Sequence, residues 1–190
     1  MNPGARLARN QSHFPIKKIR PVQDRQTVTP AGEKVARRIQ GLVIRPAKTH
    51  LDRRGEVCEI YNPAWGVHAA PLVYVYQATL QPGAIKGWVK HQLQDDRLFT
   101  SLGRQRWVFY DDRKDSPTYK MLNNFTFGER NRVFMVIPKG IYHAVQNVGT
   151  TEAMFINVPT HPYNHADPDK YRLPLKNDLI PFDFHDEMTW

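Results

Sequence analysis

From Gly41 onward the chain is cut into short apolar or alternating runs by turn-forming residues, and this punctuation limits the possible fold more than any other feature. The runs are Leu42–Ile44, Val57–Tyr61, Leu72–Leu80, Arg97–Leu102, Arg106–Tyr110, Phe125–Phe127, Val133–Ile137, Ala144–Val148 and Met154–Val158. Between them stand Asn62–Pro63, Pro82–Gly83, Gly103, Asp111–Asp112, Ser116–Pro117, Pro138–Gly140 and Gly149. Val, Ile, Phe and Tyr dominate the runs, as suits a pleated, half-buried surface. No stretch sustains an apolar period of 3.6 residues, so a closed all-β architecture is expected rather than alternating helices and strands.

The length of 190 residues suits one domain with some surplus. Residues 1–40, rich in Pro, Arg, Gln and Lys, read as a basic N-terminal arm with a short helix near Ala31–Gln40. Residues 41–190 read as the folded domain, ending in an irregular C-terminal tail with a short helix near Pro168–Tyr171. The net charge of +9 is concentrated in the arm. Arg6, Arg9, Lys17, Lys18, Arg20, Arg25, Lys34, Arg37 and Arg38 stand there against Asp24 and Glu33, an excess of +7 that leaves +2 for the remainder. A solvated or partner-contacting arm is therefore expected, and no nucleic-acid partner. The cations between Met1 and Arg20 exclude a signal-peptide core, and no apolar run is long enough to cross a bilayer. Cys58 is the single cysteine, so no internal disulfide can form, and a reducing cytoplasm is the expected compartment.

Two segments carry histidines at a suggestive spacing. Gly83-Ala-Ile-Lys-Gly-Trp-Val89-Lys-His91, followed by Asp96 and Gly103, follows the pattern glycine, five residues, His-x-His, an acid and a further glycine, with Val89 at the first histidine position. Pro138-Lys-Gly140-Ile-Tyr-His143-Ala-Val-Gln-Asn147 completes the pattern Pro-x-Gly-x-x-His-x-x-x-Asn. Glycines and prolines turn the chain at barrel corners, and the two-residue period of a strand sends the histidines inward. The pair resembles the two motifs of the cupins. That likeness implies a double-stranded β-helix, or jelly roll, with His91 and His143 lining one cavity from opposite walls.

Longer stretches resemble the dTDP-4-dehydrorhamnose 3,5-epimerase family. Residues 41–59 look like its first strands and their Asp-x-Arg-Gly turn, here Asp52 to Gly55. Lys86-Gly87-Trp88 stands where the family has Arg-Gly-Leu. Asp111 to Thr118 is similar to its Asp-x-Arg-x-x-Ser-Pro-Thr signature, and Ile180-Pro-Phe-Asp-Phe184 to its closing residues. The resemblance implies a homodimer and proton exchange at a carbon beside a ketone, in which a base removes the acidified proton, an acid returns one, and a cation holds the enolate. It implies Arg54 and Glu59 at the nucleotide end, serving the neighbouring subunit, Lys86 on phosphate, Arg97 as the enolate cation, and Tyr163 as a stacking residue. The family's histidine base falls on Val89 and its tyrosine acid on about Asn157, while Tyr74 and Tyr76 stand about where it keeps Gln and Asn.

Three functions follow from these residues. The first is a sugar-nucleotide epimerase or isomerase with His91 as base, His143 and Arg97 beside it, and no cofactor. The second is a metal-dependent oxygenase or isomerase, because two histidines and a carboxylate (His91, Asp96, His143) can hold an iron-type ion with open positions. The third is a non-catalytic sugar-binding protein. Trp88, Trp107 and Tyr110 read as core or dimer interface, Cys58 as a small buried hydrophobe, and Lys139 as solvent-facing. Arg104 could bind phosphate or sit solvated at a strand end; His161, His165 and Asp167 read as a polar loop.

Overall fold

In a computed structural model the chain is described over residues 23–185, apart from residues 25, 33, 34 and 36. It divides into two compact units, Met1–Arg37 and Arg38–Trp190. In the first, the described backbone makes a turn in which Gly32 N–H donates to the Thr29 carbonyl and Val35 N–H to that of Thr27. Most of the basic arm expected over residues 1–40 lies outside the described residues. No helix is found among those described between 31 and 40.

The second unit is all β. Its strands are β1 (Val43–Pro46), β2 (Thr49–Asp52), β3 (Gly55–Cys58), β4 (Tyr76–Leu80), β5 (Ile85–Lys90), β6 (Asp96–Leu102), β7 (Gln105–Asp111), β8 (Leu122–Phe127), β9 (Val133–Ile137), β10 (Ile141–Asn147), β11 (Ala153–Asn157) and β12 (Tyr171–Arg172). Two five-stranded antiparallel sheets form, in the orders β1-β9-β6-β11-β4 and β12-β5-β10-β7-β8, with β2 and β3 as a separate hairpin. This is the cupin jelly roll expected from the motifs.

The core lies between the two sheets. Leu80, Leu98, Met135 and Phe155 from the first meet Trp107, Phe109, Ile141 and Val145 from the second. Strand β9 is buried along its whole length, which explains its unbroken Val-Phe-Met-Val-Ile run. Its odd residues face this core, while Phe134 and Val136 pack outward against Phe99, Val158, Tyr61 and Trp65. The other sheet is covered on its outer face by the tail: Trp88, Val108 and Tyr142 pack with Ile180 and Phe184. Trp88 is fully buried, and truncating such a side chain costs about 3–5 kcal/mol.

One local expectation fails. Pro168–Tyr171 is not helical; Tyr171 and Arg172 extend as β12 and pair with Lys90 and Val89. A single helical turn gains too few hydrogen bonds to offset its ordering, whereas the edge of β5 offers unpaired backbone groups. Tail residues thereby reach the barrel mouth.

Candidate functional site

A cavity of about 350 Å³ opens between the sheets and is lined by residues from both. Lys86, Val89 and His91 come from β5 and its C-terminal end, and His143 from β10. Across from them stand Tyr76 from β4, Asp96 and Leu98 from β6, and Asn157 from β11. Lys170 and Arg172 enter from the tail.

The geometry of β5 follows from one glycine. His143 pairs with Val89 and Val145 with Lys86, so two residues, Gly87 and Trp88, oppose Ala144 alone. This bulge breaks the two-residue alternation and lets Lys86 and Val89 both face the cavity while Trp88 points out to the tail. Gly87 has φ +145°, and a Cβ there would lie 2.3 Å from that of Ala144. Only glycine fits.

Both histidines line this one cavity, but from the same wall, since β5 and β10 are neighbours in one sheet. The expectation of opposite walls is corrected here: the facing wall supplies Asp96 instead. Oδ2 of Asp96 lies 3.3 Å from Nε2 of His91 and 3.3 Å from Nε2 of His143. Its Oδ1 accepts from Gln94 Nε2 at 2.9 Å and from Asn157 Nδ2 at 3.1 Å. Burial opposes the charge of Asp96, but hydrogen bonds from His143 and His91 hold its carboxyl far below the usual carboxylate range.

His91 is engaged at both ring nitrogens, because its Nδ1 meets the backbone carbonyl of Asp169. Burial works to lower its pKa, yet Asp96 and Asp169 together raise it above the ordinary histidine value. The Asp169 carboxylate in turn accepts from the N–H groups of Gln92, Leu93 and Gln94 at 2.8, 2.8 and 3.0 Å, fixing the loop that follows β5. His143 Nδ1 faces the Ile141 carbonyl at 3.2 Å.

Other predicted residues fall elsewhere. Arg97 alternates out of the cavity that its neighbours Asp96 and Leu98 line. Its fully buried guanidinium donates to the carbonyls of Val158, Ala70, Pro71 and Pro159, so it fastens a loop to the barrel instead of meeting a substrate. Arg54 and Glu59 are exposed at the β2–β3 hairpin and just beyond it, and neither lines the cavity of its own chain. Tyr163, with Tyr74 and His161, lines a groove that shares Tyr76, His91 and Lys170 with the cavity. Arg104 lies in a separate depression with Gly128 and Thr150, and Lys139 is exposed. The Ser-Pro-Thr signature is structural: the buried Asp111 accepts from Arg113, Ser116 and Thr118 at 2.6–2.9 Å.

Asp169, Lys170 and Arg172 were missed. The available signal was the two-residue spacing of Lys170 and Arg172, which puts both on one face of an extended segment. Burial first, and then Arg172 and Lys86, push the Lys170 ammonium below its ordinary pKa. Lys86, Lys170 and Arg172 thus form a cationic cluster suited to an anion.

A family model described as dTDP-4-dehydrorhamnose 3,5-epimerase matches residues 36–178. The chain belongs to that family. Its similarity to the family's proteins extends over most of the domain. It is 32% identical over 151 residues to the "probable low-salt glycan biosynthesis epimerase Agl13" of Haloferax volcanii, covering 79% of this chain and 97% of that protein. It is also 32% identical over 152 residues to the "spore coat polysaccharide biosynthesis protein SpsL" of Bacillus subtilis, covering 78% and 98%. Among solved structures, a dTDP sugar isomerase from Desulfovibrio desulfuricans superposes with a TM-score of 0.71 at 23% identity, over 76% of this chain and 91% of that one. ChmJ, a 3'-monoepimerase from Streptomyces bikiniensis in complex with dTDP-quinovose, gives 0.68 at 21%, over 80% and 78%. In this member of the dTDP-4-dehydrorhamnose 3,5-epimerase family, Val89 and Asn157 line the cavity together with His91, Asp96 and His143.

Proposed function

We propose that the protein is a sugar-nucleotide epimerase acting on a 4-keto sugar by proton abstraction beside the ketone. The observation that carries this reading is one buried carboxylate, Asp96, set between two imidazoles in a cavity that also holds Lys86, Lys170 and Arg172. One carboxylate balances one imidazolium. His91, which faces the Asp169 carboxylate at 3.9 Å as well as that of Asp96, takes that role, and His143 is then the imidazole left to accept the substrate proton. The base moves from His91, where the sequence suggested it, to His143. The His91 cation takes over from Arg97 as the charge that holds the developing enolate. Lys86, Lys170 and Arg172 fit a diphosphate, and Tyr163 in the adjoining groove offers a face for a base. The likeness to Agl13 and ChmJ, both named as epimerases, supports the same chemistry.

Deuterium wash-in tests it. A thymidine diphosphate 4-keto-6-deoxy sugar incubated with the protein in heavy water should gain deuterium beside the carbonyl, and His143→Ala should slow this by 10²-fold or more, on the order of a general base's contribution. Exchange at the rate of the protein-free control overturns the reading.

We also propose a homodimer in the cytoplasm. The β2–β3 hairpin leaves Leu51 on one face and Val57 on the other, 80% and 70% exposed, apolar surface that a second copy would cover, and it would carry Arg54 and Glu59 toward the partner's cavity. Sedimentation gives the oligomeric state, and cell fractionation the compartment.

A second reading has its own observation. Ligand atoms of His91, Asp96 and His143 lie within 4.8 Å of one another, and the other nitrogen of each imidazole faces a backbone carbonyl, the contact that orients metal-bound histidines. These three would hold a divalent iron-type ion, which would polarise a substrate oxygen. Elemental analysis of the purified protein, with thermal shift on adding Fe(II) or Mn(II), separates it from the first; no stabilisation by either ion excludes it.

A further inference from the structure

Proton return needs a donor on the face opposite the base, and the cavity holds one that no motif indicates. Tyr76 on β4 is the cross-strand partner of Asn157 on β11, and Asn157 Nδ2 donates to the Tyr76 hydroxyl oxygen at 2.8 Å. The orientation of that amide is fixed, because the same Nδ2 also donates to the Asp96 carboxylate at 3.1 Å. Both amide hydrogens are therefore spent as donors, one to each oxygen. Tyr76 receives a hydrogen bond from Asn157 and keeps its own hydroxyl proton for the cavity. His143 belongs to the opposite sheet, so the imidazole and the phenol address a bound sugar ring from two sides.

We propose that Tyr76 is the general acid of the epimerisation, with Asn157 positioning its hydroxyl; this rests on the epimerase reading above. His143 takes the proton from the carbon beside the ketone, and the C–H electron pair passes into the enolate. The same carbon then takes a proton from Tyr76 Oη on the other face as the carbonyl re-forms. The phenolate left behind is stabilised by the Asn157 N–H and recovers its proton from solvent, while the His143 imidazolium releases the abstracted proton to solvent. Burial, followed by the Asp96 charge, pushes the Tyr76 pKa up to about 12, so the group stays protonated through the neutral range.

Tyr76→Phe keeps the ring and removes only the donor. With the thymidine diphosphate 4-keto-6-deoxy sugar in heavy water, wild type should exchange and invert. The folded variant, its fold checked by circular dichroism, should still exchange deuterium with retention while epimer formation falls about 100-fold or more. Asn157→Ala, which leaves the hydroxyl but removes its support, should slow inversion by more than it slows exchange. Inversion by Tyr76→Phe at the wild-type rate overturns the assignment, as does loss of exchange together with inversion, since the hydroxyl would then act before proton return. If wild type itself neither exchanges nor inverts, the epimerase reading fails and takes this assignment with it.

Discussion

Asp96 and Asp111 are both buried carboxylates at the ends of strands, yet their surroundings differ in kind. Asp111 is surrounded by short-range partners from its own turn, Arg113, Ser116 and Thr118, and its carboxyl is held down at about 2 by them against the cost of burial. Asp96 instead draws on groups from both sheets: Gln94 beside it, Asn157 from β11, and two histidines on the facing wall. Every partner of Asp111 is a fixed donor, whereas two partners of Asp96 are imidazoles, a group able to take up and release a proton near neutral pH. A carboxylate closed by its own turn stabilises a fold; one shared between titrating groups and open to a cavity is equipped for chemistry.

The largest effect expected from breaking this contrast is on stability. Asp111→Ala strands Arg113 and two hydroxyls and should cost about 3–5 kcal/mol in urea denaturation, the range for removing one partner of a buried ion pair. Exchange per folded molecule should stay near wild type. Asp96→Asn should reverse that pattern, with deuterium exchange slowed by about 10²–10⁴-fold and a much smaller change in the urea midpoint. Next in size, Lys86→Met should raise KM for the nucleotide sugar by about tenfold, the ~1.4 kcal/mol of one charge contact, with kcat little altered. Equal KM in the variant would remove Lys86 from the diphosphate site.

The smallest effect is the pH dependence of stability, and it separates the two aspartates. Both have folded pKa values below their ordinary 3.8, so each stabilises the fold above that pH, and its contribution fades as the pH falls through the folded value. His91 is shifted upward from 6.5, so its contribution is whole below that pH and fades as the pH rises through the raised value. Asp96→Asn should therefore flatten the decline that sets in above pH 6.5 while keeping the acid limb that ends near pH 2. Asp111→Ala should weaken that acid limb and keep the alkaline decline. Thermal melts across pH 2–9 read both.

The same division governs what could be read beforehand. The signature around Asp111 is local, its acid and partners all within seven residues, so the family resemblance exposed it in one unbroken stretch. The cupin motifs exposed His91, Asp96 and His143 in the same way. The tail gave little warning, because Asp169 and Lys170 acquire their roles only when β12 joins the edge of β5. Arg97 misled for a simple reason: one strand residue separates a cavity side chain from its opposite, and a whole-family resemblance carries no such parity.

The amino-acid order by itself determined the closed β architecture, the corner turns and the identity of the histidines, since each depends on alternation, glycine placement or short spacing. Tertiary structure alone decided which wall each group occupies, that a bulge at Gly87 turns Lys86 inward, and that Tyr76 meets Asn157 across two strands. Those outcomes rest on register between segments far apart in the chain, and backbone hydrogen bonding fixes register only once the sheets have closed.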